Sequence, residues 1–216
     1  MERSLLITEI YKSIQGEAAY AGWPCTFIRL TGCPLRCRWC DTVYGFKGGN
    51  HQNFEQILSE VDRLGVPLVE LTGGEPLAQE ATAPLMQELI KLGYKVMIET
   101  SGSESLASVP LDVHIIMDLK CPGSGMEDRN LWSNLDLLKP SDEIKFVMAH
   151  REDFDWALQK VREHSLDSRF KVLFSSAFGL LQPQQLVDWM LEANMVRVRL
   201  NLQQHKYIWH PRAKGV

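Results

Sequence analysis

An alternation constrains this chain more than any other feature. Seven short apolar runs, Cys25–Leu30, Leu68–Thr72, Lys95–Thr100, Val113–Leu119, Glu143–Val147, Phe170–Phe174 and Val196–Leu202, are separated by segments of helical periodicity. Several runs are apolar nearly throughout, as strands are when both faces of a parallel sheet are covered. Asn53 caps a helix in which Phe54, Ile57, Leu58, Val61 and Leu64 share one face, and Gly65 stops it. Pro84 suits the first turn of a second helix carrying Leu85, Met86, Leu89 and Leu92, ended by Gly93. Helical patterns also cover Asp128–Leu138, Glu152–Glu163 and Pro183–Ala193. Repeated β–α units imply a parallel α/β fold. A closed eightfold barrel takes about 250 residues, so a shorter chain suits an open, partial barrel of about six units. The chain has 216 residues and reads as one domain spanning 1–216. The link from Thr100 to Val113 is too short for a full helix.

Composition narrows the function classes. A formal net charge of −4 speaks against a nucleic-acid partner, which calls for a basic excess. No stretch reaches the roughly 18 uninterrupted apolar residues of a membrane span. The opening Met1-Glu2-Arg3-Ser4 lacks a signal-peptide profile. Five cysteines, three of them clustered, do not make a disulfide framework. The expectation is a cytoplasmic protein with no membrane partner.

Polar residues gather at one place in each unit, at the end of the apolar run. The first run leads into the loop Gly32–Thr42, the second into Gly73-Gly74-Glu75-Pro76 and the third into Glu99-Thr100-Ser101-Gly102. Asp118-Leu119-Lys120 ends the fourth, Ser175 and Ser176 follow the sixth, and Gln203, Gln204 and His205 follow the last. In parallel α/β folds these strand ends face the same way and build the site.

The first of these loops carries Cys33, Cys37 and Cys40 at C-x3-C-x2-C spacing. Thiolates so close in sequence can converge on one soft metal centre, an iron–sulfur cluster or zinc. Structural zinc wants four protein ligands, which His51 or a remote residue would have to complete. A cubane cluster held by three cysteines leaves one iron open. Cys25 and Cys121 read as packing thiols.

Gly73-Gly74-Glu75-Pro76 lies outside any phosphate-cradling context. Its glycines let a ligand approach the backbone, and Glu75, or backbone groups beside it, can take the ammonium of an amino acid. The plainer reading is a turn with Pro76 opening a helix. Asp41 and Thr42 suit a loop cap, although the Thr42 hydroxyl can also serve magnesium. Ile14-Gln15-Gly16-Glu17 precedes the first strand of the sheet and alone reads as a polar turn. Arg29, inside an apolar run, needs either a structural carboxylate or an anionic substrate gripped by its fork.

The cysteine loop together with Gly-Gly-Glu-Pro resembles the core of the radical S-adenosylmethionine (SAM) enzymes, and with it a partial TIM barrel, (β/α)6-type, with a mostly parallel sheet. More narrowly, Ile14-Gln15-Gly16-Glu17, Phe27 to Cys33, Cys37 to Thr42, Leu71 to Pro76, Ile98 to Gly102 and Gln204-His205-Lys206-Tyr207 resemble the 7-carboxy-7-deazaguanine synthase family. The resemblance implies ring contraction of 6-carboxy-5,6,7,8-tetrahydropterin with loss of ammonia, on the way to queuosine. It implies a [4Fe–4S] cluster on Cys33, Cys37 and Cys40, SAM, and Mg2+ at Thr42. SAM would meet Trp39, Cys40, Asp41, Gly74, Glu75, Ser101, Asp118, Leu119 and Lys120. The pterin would meet Ile14, Gln15, Gly16, Glu17, Arg29, Thr72 and His205, and no side chain acts as the radical source. Flavodoxin or ferredoxin would donate the electron, and the family's members pair as homodimers. Two departures stand out: Asp118-Leu119-Lys120 replaces the Ser-Pro-Lys of many relatives, and the cysteine loop is the short form. The tail from Ile208-Trp209-His210-Pro211 onward can close over the pterin. Two other readings are an activase working on a partner protein, which leaves Arg29 and Thr42 unexplained, and a zinc-binding interaction module.

Overall fold

The computed structural model describes residues 3–216; Met1 and Glu2, which entered the signal-peptide reading, lie outside the described residues. Nine strands form one sheet: β1 (Ser4–Ile14), β2 (Pro24–Leu30), β3 (Asn50–Asn53), β4 (Leu68–Gly73), β5 (Lys95–Thr100), β6 (His114–Lys120), β7 (Glu143–Met148), β8 (Lys171–Ser176) and β9 (Val198–Asn201). Their order is β3-β1-β2-β4-β5-β6-β7-β8-β9, with β3 and β9 as the two unjoined edges. From β2 and β4 onward every pairing is parallel. These parallel strands are the seven apolar runs, with ends shifted by a residue or two. The open, mostly parallel α/β barrel expected from the alternation is the observed architecture. No helix among the described residues is long and apolar enough to cross a membrane.

The helices α1 (Phe54–Leu64), α2 (Thr82–Lys91), α3 (Arg151–Glu163) and α5 (Pro183–Glu192) occupy the expected crossovers, joined by the short α4 (Leu166–Arg169) and α6 (His205–Ile208). Asn53 caps α1 as its sequence requires: its side chain accepts from the Gln56 N–H while the Gln56 side chain accepts from the Asn53 N–H, and Gly65 closes the helix in the left-handed region.

Two expectations need correction. The helix expected over 128–138 is instead a pair of 3-10 turns, Glu127–Arg129 and Trp132–Asp136. Its two asparagines are spent elsewhere. Asn130 bonds both the N–H and the carbonyl of Lys120, while Asn134 receives the Leu106 N–H and donates to the carbonyls of Gly102 and Glu104. Side chains that satisfy neighbouring backbone compete with regular helix, and here they clamp the exits of β5 and β6. The second correction concerns Ile14–Glu17, which does not precede the sheet's first strand but follows β1, an antiparallel partner of both β2 and β3.

A register shift between Ile7 and Glu9 breaks the β1–β2 ladder. Side chains alternate along a strand, so three steps from Ile7 to Ile10 would ordinarily put these two on opposite faces. The extra residue cancels that change of parity. Ile7 and Ile10 both join the core beneath the helices, whereas Tyr11 packs with the other interior cluster and Glu9 meets Arg29.

Strand parity sorts the core the same way. Ile28, Leu71, Ile98, Met117, Phe146 and Phe174 face the helices. Phe27, Leu68, Met97, Ile116 and Leu173 form a smaller apolar plug on the concave face. The next residues along those strands' concave face are polar, Arg29, Glu70, Glu99, Asp118 and Ser175, and β7 adds Lys145. Phe146, fully buried, meets Phe174 edge-on with ring centres 5.6 Å apart and Trp156 at 6.1 Å. Phe146→Ala should cost about 3–5 kcal/mol of stability, read as a lowered midpoint in urea with an unchanged denaturant slope.

Candidate functional site

The cysteine loop leaves the end of β2 and is pinned from two sides. Gly32 N donates to the Gly45 carbonyl and Glu75 N to the Gly32 carbonyl, while Arg38 N donates to the Ser124 carbonyl. Cys33, Cys37 and Cys40 are free and partly exposed, and burial holds all three thiols above their ordinary value. Gly74 backs this loop so closely that a Cβ there would lie 1.8 Å from the Gly32 oxygen and 3.1 Å from Cys33 Cβ. Only glycine permits that approach.

Glu75 takes a role other than the one expected of it. Fully buried, it accepts at Oε1 from Leu77 N (3.0 Å) and Thr100 Oγ1 (2.8 Å), and at Oε2 from Ser101 N (2.7 Å) and Ser101 Oγ (2.5 Å). With its acceptor positions taken, the carboxylate is not available to a ligand's ammonium. It ties the β4 exit to the β5 exit, and Ser101 is engaged in the same tie. Backbone groups at Gly73 and Gly74 are left to meet a ligand on this side.

Above the apolar plug lies a charged layer with Lys145 at its centre. The Lys145 ammonium pairs with Glu17 Oε2 at 2.9 Å and with Glu99, and stands 4.0 Å from Asp118 Oδ2. Asp118 Oδ2 also pairs with Lys120 at 3.0 Å, whereas Asp118 Oδ1 is buried without a hydrogen-bond partner. Burial opposes the charge on Lys145, but Glu17, Glu99 and Asp118 override it and hold the ammonium well above its ordinary value. Burial likewise opposes ionisation of Glu17, and Lys145 overrides it, so Glu17 titrates low. Deeper in, Glu70 has no such partner. Burial first, then the Glu99 carboxylate, push it well above the usual carboxylate range, and it takes the Gln15 amide as donor. Burial and neighbouring charge thus push the two acids apart, Glu70 toward the protonated form and Glu17 toward the carboxylate.

The β1–β2 corner holds Arg29. Its Nε pairs with Glu9 Oε1 at 2.8 Å and Nη2 donates to the Tyr11 hydroxyl at 2.7 Å, while the Tyr44 hydroxyl donates to the same Glu9 oxygen at 2.9 Å. Of the two alternatives for Arg29, the structural carboxylate is present, and Glu9 is that partner. A guanidinium has five donors, so Nη1 is left over. Burial pushes Tyr11 up to about 12, against the pull of Arg29.

The chain end closes the remaining side. Gln204 N donates to the Gly16 carbonyl, and a Cβ at Gly16 would lie 2.3 Å from His205 Nδ1, so His205 sits on that glycine. Burial holds His205 below its ordinary value. Lys206, the next residue, reaches Asp41 Oδ2 at 2.5 Å, and Thr42 Oγ1 donates to Asp41 Oδ1 at 3.0 Å. Further on, Lys214 lies over the Tyr44 ring at 4.3 Å.

The structure thus brings Gln15, Gly16, Glu17 and His205 together, and links them through Lys145 to Asp118 and Lys120. Thr72 joins the layer weakly, through Glu99 at 3.4 Å. Trp39 is partly buried in the cysteine loop, Leu119 points into the helix-side core, and Ile14 ends β1. Cys25 and Cys121 are buried, as packing thiols should be. Sequence reasoning put Glu99 at a site-building strand end but missed Lys145 and Glu70 as members of the charged layer. The signal was there: Glu143-Ile144-Lys145-Phe146-Val147 alternates charged and apolar, which marks a strand with one polar buried face.

Comparison with known proteins agrees with this geometry. Residues 27–168 match the model of the radical SAM superfamily. The 7-carboxy-7-deazaguanine synthase of Koribacter versatilis is 49% identical, over 97% of this chain and 99% of that one. The protein of the same name from Chlorobaculum tepidum is 41% identical over 100% and 99%. The chain belongs to the 7-carboxy-7-deazaguanine synthase family. Among solved structures, QueE from Escherichia coli superposes with a TM-score of 0.77 at 24% identity, covering 94% of this chain and 95% of that one, which supports the fold.

Family membership implies a [4Fe–4S] cluster and SAM, and the residues fit both. Cys33, Cys37 and Cys40 are soft donors at one strand end, and Lys120 is near enough to Cys37 to favour its thiolate. Gly74 leaves the backbone bare beside Cys33, and Asp118 Oδ1 is an acceptor still to be satisfied. Among the described residues no three His, Cys, Asp or Glu side chains stand close enough to hold a single ion. Gly74→Ala should drive the Gly32–Cys33 backbone away from β4, lowering stability by about 2 kcal/mol or more. Urea unfolding measures the first effect, and the iron bound per chain after anaerobic reconstitution should fall sharply.

Proposed function

We propose that this protein converts 6-carboxy-5,6,7,8-tetrahydropterin to 7-carboxy-7-deazaguanine with loss of ammonia, as a single radical SAM domain spanning the chain. The supporting observation is the run of charged groups from Lys120, which acts electrostatically on Cys37, by way of Asp118 and Lys145 to Glu17, linking the strand end beside the cysteine loop to the Gln15–Glu17 corner. Cluster and SAM, when bound, supply one-electron chemistry that ends in abstraction of a hydrogen atom from the substrate.

The roles of the chain's own groups follow from their charge. Glu17, kept ionised by Lys145, accepts hydrogen bonds from the pterin's amino and ring N–H groups, and Gln15 and the Gly16 backbone border it. Neutral His205 offers one ring nitrogen as donor and one as acceptor on the same side. Arg29, with a donor to spare beyond Glu9 and Tyr11, takes the substrate carboxylate. Trp39, Asp41, the Gly74 backbone, Asp118 and Lys120 face SAM. The side-by-side oxygens of Thr42 and Asp41 suit Mg2+, which keeps few protein ligands and completes its shell with substrate and water. The tail beyond α6, lying over Tyr44, shuts solvent away from the reacting carbon.

Five free cysteines suit a reducing cytoplasm, where flavodoxin or ferredoxin supplies the electron. Exposed Phe178, Leu180, Tyr207 and Ile208 offer an apolar face for a homodimer.

The test is anaerobic turnover of iron-reconstituted protein with SAM, Mg2+, a reductant and the carboxytetrahydropterin, products read by mass spectrometry. Carboxydeazaguanine appearing with 5′-deoxyadenosine supports the reading; deoxyadenosine alone removes the substrate from it, and neither product from iron-loaded protein removes the activity. Arg29→Met should raise the KM for the pterin about 100-fold or more, the loss of one charge-assisted pair. SAM cleavage in the absence of pterin should be unchanged. Omitting Mg2+ should lower pterin turnover in the wild type and leave a Thr42→Ala variant little affected.

A further inference from the structure

We infer that Lys145 is a positioning residue for this site, its single ammonium holding the carboxylates of Glu17 and Glu99 turned inward so that the pterin-binding wall keeps its shape and charge. The inference rests on the proposed substrate. Lys145 is 3% exposed, and its ammonium carries contacts from three separate elements: Glu17 after β1 at 2.9 Å, Glu99 on β5, and Asp118 on β6 at 4.0 Å. Its register partner on β8, Leu173, belongs to the apolar plug, so the ammonium extends from the edge of that plug toward the acids.

The charged groups facing this layer are few. Glu17, Glu99 and Asp118 are the carboxylates nearest Lys145, and Glu70, which burial and Glu99 push above the usual carboxylate range, is the next acid in. Lys120 pairs with Asp118, and His205 acts on Glu17 from α6. Lys120 is already committed to Asp118, and burial keeps His205 neutral, so neither can replace Lys145 beside Glu17. Glu17 also accepts from Asn201 Nδ2 at 3.1 Å and Gln203 Nε2 at 3.0 Å, neutral donors that orient it without supplying charge.

The sign of the consequence is fixed. With Lys145 present, Glu17 titrates below its ordinary value and is ionised throughout the neutral range. Without the ammonium, burial pushes Glu17 upward with its largest opposing charge removed. Glu17 then takes up its proton at a higher pH than in the wild type, and contacts that need the carboxylate are lost on the acid side and recovered on the alkaline side.

The test compares full-length wild type, Lys145→Met and Lys145→Gln, the last keeping hydrogen-bonding capacity so that a folded variant is in hand. The fluorescent pterin-6-carboxylate serves as the binding probe, titrated between about pH 5.5 and 8.5, spanning the ordinary His range and the raised carboxylates. In parallel, side-chain carboxyl carbons of 13C-glutamate-labelled protein are followed by NMR. Wild-type affinity should vary little over this window. The variants should bind about tenfold or more weakly at the acid end and approach wild type at the alkaline end, the ratio expected when one buried charge is lost. Their Glu17 carboxyl midpoint should rise to match. An unmoved Glu17 midpoint overturns the inference. So does an affinity loss of the same size at every pH, which would make Lys145 a packing residue only. If wild type binds no pterin at all, the proposed substrate fails, and the Glu17 titration still decides whether Lys145 holds that acid.

Discussion

Glu75 is the point on which the cavity's rim depends. A carboxylate wholly removed from water is costly unless hydrogen bonds replace its hydration, and here four donors from Leu77, Thr100 and Ser101 do so. Its own N–H meanwhile holds the Gly32 carbonyl. One residue therefore joins the exits of β2, β4 and β5, and with them the loop that carries the three cysteines. Rim geometry is then a property of backbone and buried bonds, which suits a site that must hold a cofactor without rearranging.

Beneath the rim, strand parity does the sorting. Every second residue of β4 to β6 goes to the helix-side core, and the others climb from an apolar plug to a charged layer. Charges in such a place are expensive singly and tolerable as a set. Burial pushes Glu70 toward its protonated form, while Glu17 and Glu99 meet the cost through Lys145. Glu70 and Glu17 are thus pushed in opposite directions because only Glu17 has an ammonium partner in contact, a division of roles set by neighbours rather than by residue type.

Much of this was legible in the sequence. The seven parallel strands follow from apolar runs, α1 from Asn53 and Gly65, and the site's location from the polar residues at strand ends. The segment 128–138 misled because its leucine spacing is helical, while Asn130 and Asn134 find better partners in the backbone of neighbouring loops. Strand β1 went unread because its polar Thr8, Glu9 and Lys12 break the apolar run that marks the buried strands. Glu75 looked like a ligand group because nothing in a sequence says that Thr100 and Ser101 lie across from it. Lys145 was overlooked for the converse reason: a lysine within a strand reads as surface until three acids are seen around it.

The irregularity in β1 has a consequence for how this protein can change. Because one extra residue near Thr8 swings Glu9 and Tyr11 toward Arg29, the strand encodes part of the cavity in its length and not only in its letters. Substitutions along β1 act one side chain at a time. A single insertion or deletion upstream of Glu9 would exchange inside for outside along the rest of the strand, stranding the Arg29 guanidinium among apolar neighbours. Spacing between Ile7 and Glu9 is therefore under a tighter constraint than the identity of the residue that fills it.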